Sequence, residues 1–328
     1  MTLALRQGSG ASGVAMVRRI NLAVVVFLIF YVGIGLLQPN YLEPAGAMNF
    51  LRRAAPLAIL ATGQLFVLVS GGFDLSMGSL VTLTVIGGSM LTANDPANTW
   101  WTIVILYAIG IAVGLVNGSV VAYLRTPSII ATLGTLLSVN GVAMMWSGGS
   151  PRGYLPDNFR MFGRYVFHDV PVLKIFPLAI LVLVTVAGLA WWALHGTVFG
   201  RRVFAVGDNA RAAELAGVRI DLVRIAVFII SASAAVTAGI LLGGFGGVSV
   251  DVGLGLELQA IAACVVGGVQ LMGGRGSVVG AIAGALTLTA LFTLLTLLGW
   301  PQPLRDTAQG LILIVAVAFS AWRRRRTG

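Results

Sequence analysis

Long apolar segments, separated by short polar ones, dominate the pattern of this chain. A helix needs about 20 mostly apolar residues to cross a hydrocarbon core about 30 Å thick. Ten segments have or approach that length, and each is predicted to be a transmembrane helix: 20–38, 54–70, 78–93, 100–124, 128–147, 175–194, 223–246, 258–272, 277–299 and 306–322. Segments 78–93 and 258–272 are short, so a count of eight follows if these two enter the membrane without crossing it.

The composition supports an all-α integral membrane protein. Apolar residues make up 58% of the 328 residues and charged residues only 10%, whereas soluble domains carry about 25% charged residues. The mean hydropathy is +0.95. Because so few polar groups cannot cover the surface in water, lipid must cover much of it. The net charge of +10 does not indicate nucleic acid, since basic patches with interleaved aromatic residues are missing.

The distribution of basic residues predicts the orientation. With ten spans and a cytoplasmic N-terminus, about twice as many basic residues fall on the cytoplasmic side as outside, which is the usual bias. The four consecutive arginines at 323–326 are the strongest single marker. We therefore predict that both termini are cytoplasmic. The predicted organisation begins with a cytoplasmic tail, 1–19, followed by a single membrane domain, 20–322, and a basic cytoplasmic tail, 323–328. Within the membrane domain, 148–174 is the predicted periplasmic loop and 195–222 the predicted cytoplasmic loop.

A polar stretch, SGGFDLSMGS at 70–79, separates the second and third apolar segments. Gly71 and Gly72 can end one helix. Asp74 can cap the next by accepting the backbone N–H of Ser76 or Met77. The alternative is that a broken helix exposes Asp74 and Ser76 to a solute path, where they hydrogen-bond sugar hydroxyls. Both interpretations stay open at this point.

Glycines recur at intervals of four residues. Small residues at this spacing let helices in lipid approach closely. We predict helix packing, within one subunit or between subunits, for two such stripes: Gly110, Gly114, Gly118, and Gly239, Gly243, Gly247.

The predicted cytoplasmic loop contains a short helix that ends near Gly217. Asp208 or Asn209 is a good N-cap, and Gly217 can supply a left-handed stop. So short a helix is not stable alone, so it either rests on the lipid surface or docks in the groove of a partner. Its side chains for such contacts are small and apolar, with two polar ones at the rim: Ala212, Ala213, Leu215, Ala216, Arg211 and Glu214.

Sequence signatures of enzymes and cofactor sites are missing. The chain has no G-x-x-x-x-G-K-[ST], no H-E-x-x-H and no G-x-S-x-G, which mark nucleotide, zinc and serine-hydrolase sites. A single cysteine, Cys264, lies in an apolar segment. We therefore expect no catalytic residue, no metal site and no cofactor in this chain.

Three motifs resemble one family of membrane proteins. The segment 200–217, GRRVFAVGDNARAAELAG, resembles the G-R-x-x-x-A-x-G-x-N-x-x-A-A-x-x-x-G pattern of permease subunits of monosaccharide-type ABC importers. SGGFDLSMGS is similar to that family's S-G-G-I-D-L-S-V-G-S. The segment 257–277, ELQAIAACVVGGVQLMGGRGS, is similar to its E-L-x-A-I-A-A-x-V-I-G-G-x-x-L-x-G-G-x-G-S. The resemblance runs in order over about residues 20–322.

The resemblance implies a bacterial inner-membrane permease that imports a monosaccharide. It implies pairing with a second copy or a related permease, a cytoplasmic ATPase subunit that holds ATP and Mg²⁺, and a periplasmic sugar-binding protein. The cytoplasmic loop would be the coupling loop that meets the ATPase, with the residues Gly200, Arg201, Gly207, Asp208, Asn209, Ala212, Ala213, Glu214 and Gly217.

Two alternatives remain. The related branched-chain amino acid permeases share this architecture, although an amino acid would need ionic partners and the spans offer few. A stand-alone secondary transporter would carry several intramembrane charges for ion coupling, and Asp74 is the only charge that the sequence places near a span interior. The sequence does not identify the sugar.

Overall fold

The structure is a computed structural model that describes residues 22–312 and 314. Its helices are α1 Leu22–Leu37, α2 Pro44–Val69, α3 Met77–Thr92, α4 Thr99–Tyr123, α5 Ser128–Ser147, α6 Asp157–Arg164, α7 Leu178–Trp191, α8 Val198–Asp208, α9 Ala210–Leu215, α10 Ile220–Gly246, α11 Leu256–Val266 and α12 Val278–Leu297. Residues 302–312 are also helical. The predicted tails, 1–19 and 323–328, lie outside the described residues.

Six helical segments of the described chain are long and apolar enough to cross a membrane. They are Pro44–Val69, Pro96–Tyr123, Ser128–Ser147, Leu178–Gly196, Ile220–Gly246 and Val278–Leu297, and α1, α3 and α11 are shorter apolar helices. The molecule is therefore a mainly helical membrane protein. The described residues do not establish a count of ten, because most of the predicted span 306–322 lies outside them.

Helix boundaries agree with the sequence prediction to different degrees. Segment 128–147 is reproduced residue for residue as α5. By contrast, α2 begins at Pro44 rather than at 54 and contains Pro56. Proline is well suited to the first turn of a helix, where its missing N–H has no intrahelical partner. Neighbouring helices compensate for an internal proline, so the apolar pattern underestimated the length of this helix.

The predicted span 258–272 is wrong at its C-terminal end. Helix α11 ends at Val266 and has 11 residues, which corresponds to about 16 Å at 1.5 Å per residue. The following segment turns at three glycines with left-handed backbone, Gly268, Gly273 and Gly274. A β-carbon is unfavourable in this conformation, so the chain leaves the helix here and α11 alone is too short to cross the membrane.

The loop 148–174 is more ordered than an all-α prediction implies. It contains α6, followed by strand β1, Val166–Val170, which pairs with β2, Lys174–Pro177, in an antiparallel hairpin. Helix α6 packs against α10, where Gly163 lies against the backbone of Leu241 and Gly244. The all-α prediction is therefore corrected by one hairpin.

Helices α2 and α10 form the centre of the molecule. The most apolar 18-residue window of α2 is 89% buried and that of α10 is 61% buried, whereas only 17% of the α5 window is covered by the rest of the chain. Helix α10 contacts α2, α3 and α4 along its length. Among these long helices, α5 is consequently the one that the subunit covers least.

The α4 glycine stripe packs within the subunit, as the first of the two interpretations predicts. A β-carbon at Gly110, Gly114 or Gly118 would collide with α10, the last two against its backbone near Ile229 and Ile225.

The second stripe is only partly a packing stripe. Gly239 lies against Thr84, and Gly243 lies against Leu155. Gly247 is different, because it ends α10 with φ of +77° and has no neighbour near its missing β-carbon. Gly247 therefore takes no part in packing within the subunit, and its predicted role in packing between subunits stays a prediction.

Candidate functional site

Asp74 lies between the end of α2 and the start of α3, and its side chain is almost completely buried, with 1% exposure. Its Oδ1 accepts hydrogen bonds from the backbone N of Ser76 at 2.9 Å and from Ser76 Oγ at 2.6 Å. Its Oδ2 accepts one from Ser231 Oγ on α10 at 2.6 Å. One carboxyl group therefore joins the α2–α3 connection to α10.

The hydrogen bonds continue from Ser76 to two further helices. Asn117 Nδ2, on α4, donates to Ser76 Oγ at 2.9 Å. Thr135 Oγ1, on α5, donates to Asn117 Oδ1 at 2.5 Å. We call the five residues Ser231, Asp74, Ser76, Asn117 and Thr135 the Asp74 network. It connects α10, the start of α3, α4 and α5 through side chains that have few other polar neighbours.

Gln64 of α2 contacts the backbone of Asp74. With its amide oriented to satisfy both groups, its nitrogen donates to the Asp74 carbonyl at 3.2 Å and its oxygen accepts from the Asp74 N–H at 3.3 Å. Backbone groups outside regular helices must find such partners inside a membrane protein, because lipid offers none. Gln64 therefore supports the break in the chain that places Asp74.

Two glycines end α2 just before this break. Gly71 has φ of +88°, and Gly72 donates its N–H to the Val67 carbonyl at 2.9 Å. Asp74 then binds the N–H of Ser76, the residue directly before α3. Because Asp74 and Ser76 are both 1% exposed and hydrogen-bonded to one another, this conformation favours the capping interpretation over direct contact with a solute.

The predicted coupling loop forms two consecutive helices. Asp208 is the last residue of α8, and Asn209 caps α9 by accepting the N–H of Ala212 at 3.0 Å. Gly217 has φ of +82°, and the next N–H, of Val218, returns to the Ala213 carbonyl at 3.0 Å. Gly200 is buried in the first turn of α8, against the backbone of Leu194. Arg201 is exposed.

One predicted contact residue of α9 faces inward. Ala213 is only 5% exposed and belongs to the hydrophobic core, because so short a helix can pack on the subunit with only one of its sides. Ala212 and Ala216 are exposed, as is Leu215 at 77%. Arg211 and Glu214 are exposed and pair with each other at 3.1 Å. Including Ala213 in a partner-facing surface is therefore wrong.

A close backbone contact connects the coupling loop to the membrane helices. The N–H of Gly274 donates to the carbonyl of Val69, the last residue of α2, at 2.9 Å. A β-carbon at Gly207, near the end of α8, would collide with that carbonyl and with the nitrogen of Gly274. Gly273 and Gly274 are left-handed. We call Val69, Gly207, Gly273 and Gly274 the glycine junction.

Long apolar helices, a buried polar network between them and a short helix exposed on one loop define a multi-pass membrane permease. Comparison with known proteins specifies the family: residues 46–317 match the branched-chain amino acid transport system / permease component family. The chain belongs to this family. No solved structure matches it.

Relatives with known names extend this identification. The chain is 35% identical over 301 residues to the autoinducer 2 import system permease protein LsrC of Salmonella typhi, covering 90% of this chain and 84% of that protein. It is 36% identical to the protein of the same name in Salmonella paratyphi B, over 91% of this chain and 84% of the relative. The Shigella flexneri protein is 34% identical, with coverages of 92% and 86%.

These findings confirm the resemblance that the motifs indicated. The chain is a permease of the ABC-importer type and a multi-pass protein of the bacterial inner membrane. It is a transport subunit rather than a catalytic enzyme.

Several residues of the site escaped sequence reasoning. Gln64, Asn117, Thr135 and Ser231 lie singly in apolar segments that are distant in sequence. The signal that could have found them is their polarity, since a strongly polar side chain within a membrane span needs a partner. Sequence alone does not show which of them meet.

Asp74→Ala is expected to reduce the amount of folded permease and its thermal stability in detergent. The substitution removes three hydrogen bonds and leaves buried donors of Ser76 and Ser231 unsatisfied, at about 1–3 kcal/mol per group. Asp74→Asn is the matched control, because its Oδ1 still accepts from Ser76, and we expect a smaller loss. Wild-type melting of the alanine variant, together with abolished transport, would contradict the structural role and favour a direct role in the solute path.

Proposed function

We propose that this chain is the membrane-spanning subunit of an ATP-driven importer that moves a small polyhydroxylated solute of the monosaccharide kind. ATP and Mg²⁺ are bound by a separate ATPase subunit, and a periplasmic binding protein delivers the solute. The observation that carries the proposal is the coupling loop. Its α9 exposes Leu215 and neighbouring alanines, while its α8 contacts the end of α2 through Gly207.

Two sequence comparisons favour a sugar-like solute as the substrate. The three sequence motifs resemble the monosaccharide group, and the named relatives belong to import systems for autoinducer 2. The description of the family names branched-chain amino acids, so leucine is the competing substrate class.

The finer topology is part of the proposal. Ten spans with both termini in the cytoplasm place the coupling loop and the arginines 323–326 on the same side of the membrane. Loop 148–174, with α6 and the β1–β2 hairpin, then faces the periplasm and is the surface for the binding protein.

Pairing with a second permease, identical or related, is supported by the uncovered face of α5. A β-carbon added at Gly134 or Gly141 on this face would meet no other atom within 4 Å, and Ser138 between them is exposed. Small residues let a second helix approach closely in lipid. The glycine stripe on α4 is already used inside the subunit, so α5 is the free counterpart among the described long helices.

Reconstituted uptake tests the function directly. The permease, its ATPase and its binding protein are placed in liposomes, and uptake of radiolabelled ribose, autoinducer 2 and leucine is followed with and without ATP. We expect ATP-dependent uptake of a sugar or of autoinducer 2, and no ATP-dependent uptake of leucine. Uptake that persists without ATP would support a secondary transporter instead, and ATP-dependent uptake of leucine alone would support the amino acid class.

The exposed side of α9 generates a prediction about the ATPase. Leu215→Arg is expected to leave the permease folded in the membrane while co-purification of the ATPase and transport are lost, because the new charge disrupts an apolar contact. Leu215→Met is the matched control, because it keeps an apolar side chain at the same position and should preserve ATPase binding and transport.

The opposite side of α9 supplies the contrast. Ala213→Trp is expected to lower the amount of folded permease itself, because there is no room for an indole ring in the core.

Full ATPase binding by Leu215→Arg would show that α9 rests on lipid and that the coupling assignment is wrong.

A further inference from the structure

Glu257 lies well inside the membrane-spanning part of the molecule, a position that the sequence pattern did not predict. Helices α3 and α10 run side by side: Asp74 meets Ser231, and Thr84 meets Gly239. After the end of α10 at Gly246, the chain returns along α3, and the N–H of Gly253 donates to Thr82 Oγ1 at 3.1 Å. Helix α11 therefore begins inside the membrane.

The depth of its first residues follows from helix geometry. Thr82 is level with the part of α10 near Gly239, seven residues before the outer end of that helix. Gly78, which Glu257 contacts, lies four residues before Thr82 in α3 and is therefore farther from the outer end of α10. At 1.5 Å per residue, the Glu257 carboxylate is roughly 16 Å below the outer end of α10. Helix α10 has 27 residues and is about 40 Å long, so its ends extend beyond a hydrocarbon core about 30 Å thick, and the carboxylate lies below the outer edge of the core but less than half-way through it.

Glycine makes room for this carboxylate. A β-carbon at Gly78 would collide with Glu257 Oε2 and with the carbonyl of Gly253. A β-carbon at Gly253 would collide with the carbonyl of Gly78. The starts of α3 and α11 thus approach each other at two positions without side chains, and the approach fixes Glu257 beside the first turn of α3.

A small polar cavity adjoins Glu257. It has a volume of about 50 Å³ and lies between α3, α5 and the segment before α11. Its polar lining residues are Ser79, Thr82, Asn140, Asp251 and Glu257, and no Lys, Arg or His lines it among the described residues. The Asn140 amide forms no hydrogen bond within the described part of the chain.

We propose that the lining of this cavity, with Glu257 at its centre, is where the permeating solute forms hydrogen bonds with the subunit. The proposal rests on the function proposed above and names the contact residues for its substrate. The Thr82 hydroxyl and the Asn140 amide can donate hydrogen bonds and the carboxylates of Asp251 and Glu257 can accept them, whereas Ser79 Oγ already donates to the Ser76 carbonyl at 2.9 Å. These donors and acceptors suit the several hydroxyls of an uncharged polyol. An intramembrane carboxylate is costly, and such groups characteristically mark transport pathways.

The cavity is one wall of the path rather than a closed pocket. A volume of about 50 Å³ accommodates a few water molecules, which is less than a monosaccharide needs. Leu136 and Asn140 contribute the side of α5 to the cavity, and α5 is the long helix that the subunit covers least. Leu136 and Asn140 lie on the opposite side of α5 from Gly134, Ser138 and Gly141, so the cavity faces α3 and α11 of this subunit rather than the proposed pairing face.

The test compares Glu257→Gln, Glu257→Ala and Asn140→Ala with the wild type in the reconstituted complex, and Glu43→Gln, an exposed carboxylate elsewhere, is the matched control. We expect ATP hydrolysis and ATPase co-purification to be unchanged in all four. Uptake at low sugar concentration should fall at least about tenfold in Glu257→Ala, the size expected for a lost hydrogen bond to a charged group. Glu257→Gln should retain part of the uptake, because its amide oxygen still accepts.

Three outcomes would overturn the assignment. The first is wild-type sugar uptake by each of the two single variants Asn140→Ala and Glu257→Gln, which would overturn the assignment even where Glu257→Ala fails to fold. Equal and complete loss in Glu257→Gln and Glu257→Ala, with normal uptake in Asn140→Ala, would mean that the carboxylate binds a positive charge rather than a polyol. If the KM for sugar uptake rises as much in Glu43→Gln as in Glu257→Ala, the effect of Glu257→Ala is a general effect of charge and not a lost contact with the solute. Failure of the wild type to take up sugar with ATP would instead refute the proposed function.

Discussion

The hydrogen bonds of one buried carboxyl group, Asp74, hold together the region from which the rest of the membrane domain is built. Lipid offers no hydrogen bonds, so a chain that breaks a helix inside a membrane must satisfy the freed groups itself. Asp74 binds Ser76 and Ser231, Gln64 covers its backbone, and Ser76 passes the connection on to Asn117. The interruption between α2 and α3 is possible because Gln64 lies in α2 itself and two further helices, α10 and α4, supply Ser231 and Asn117.

Two interruptions then give the molecule its functional geometry. The break after α2 brings Val69 against Gly207 and Gly274, so that the coupling loop and the membrane helices share one backbone contact. The turn before α11 carries Glu257 to the first turn of α3. The predicted coupling loop therefore lies directly against the end of α2, and α2 in turn borders the segment that positions α3.

The sequence predicted those parts that local patterns determine. Segment 128–147 is apolar between a proline and a glycine pair, and the whole of it is helical. The cap at Asn209 and the stop at Gly217 were readable because both act within a few residues. The C-terminal end of α11 was not readable, because its apolar residues continue past Val266 while consecutive glycines turn the backbone.

Tertiary contacts account for what the sequence did not predict. Nothing local distinguishes Ala213 from Ala212, and the packing of α9 on its own subunit decides which is buried. The partners of Asp74 are separated by up to 157 residues. The position of Glu257 beside α3 was not predicted, because the return of the chain after Gly246 depends on contacts between Gly253 and α3, which no periodicity encodes.

The proposed function requires that a conformational change of the ATPase subunit is transmitted from the coupling loop to helix α2 through the glycine junction. The most direct measurement is ATP hydrolysis and sugar uptake, in the same liposomes, by Gly207→Val, with Gly217→Asn as control because asparagine tolerates the left-handed backbone at this exposed position. The account predicts that those Gly207→Val complexes that assemble, quantified by co-purification of the ATPase, hydrolyse ATP without transport, and that the control does both. Transport by Gly207→Val at the wild-type ratio to ATP hydrolysis would contradict it.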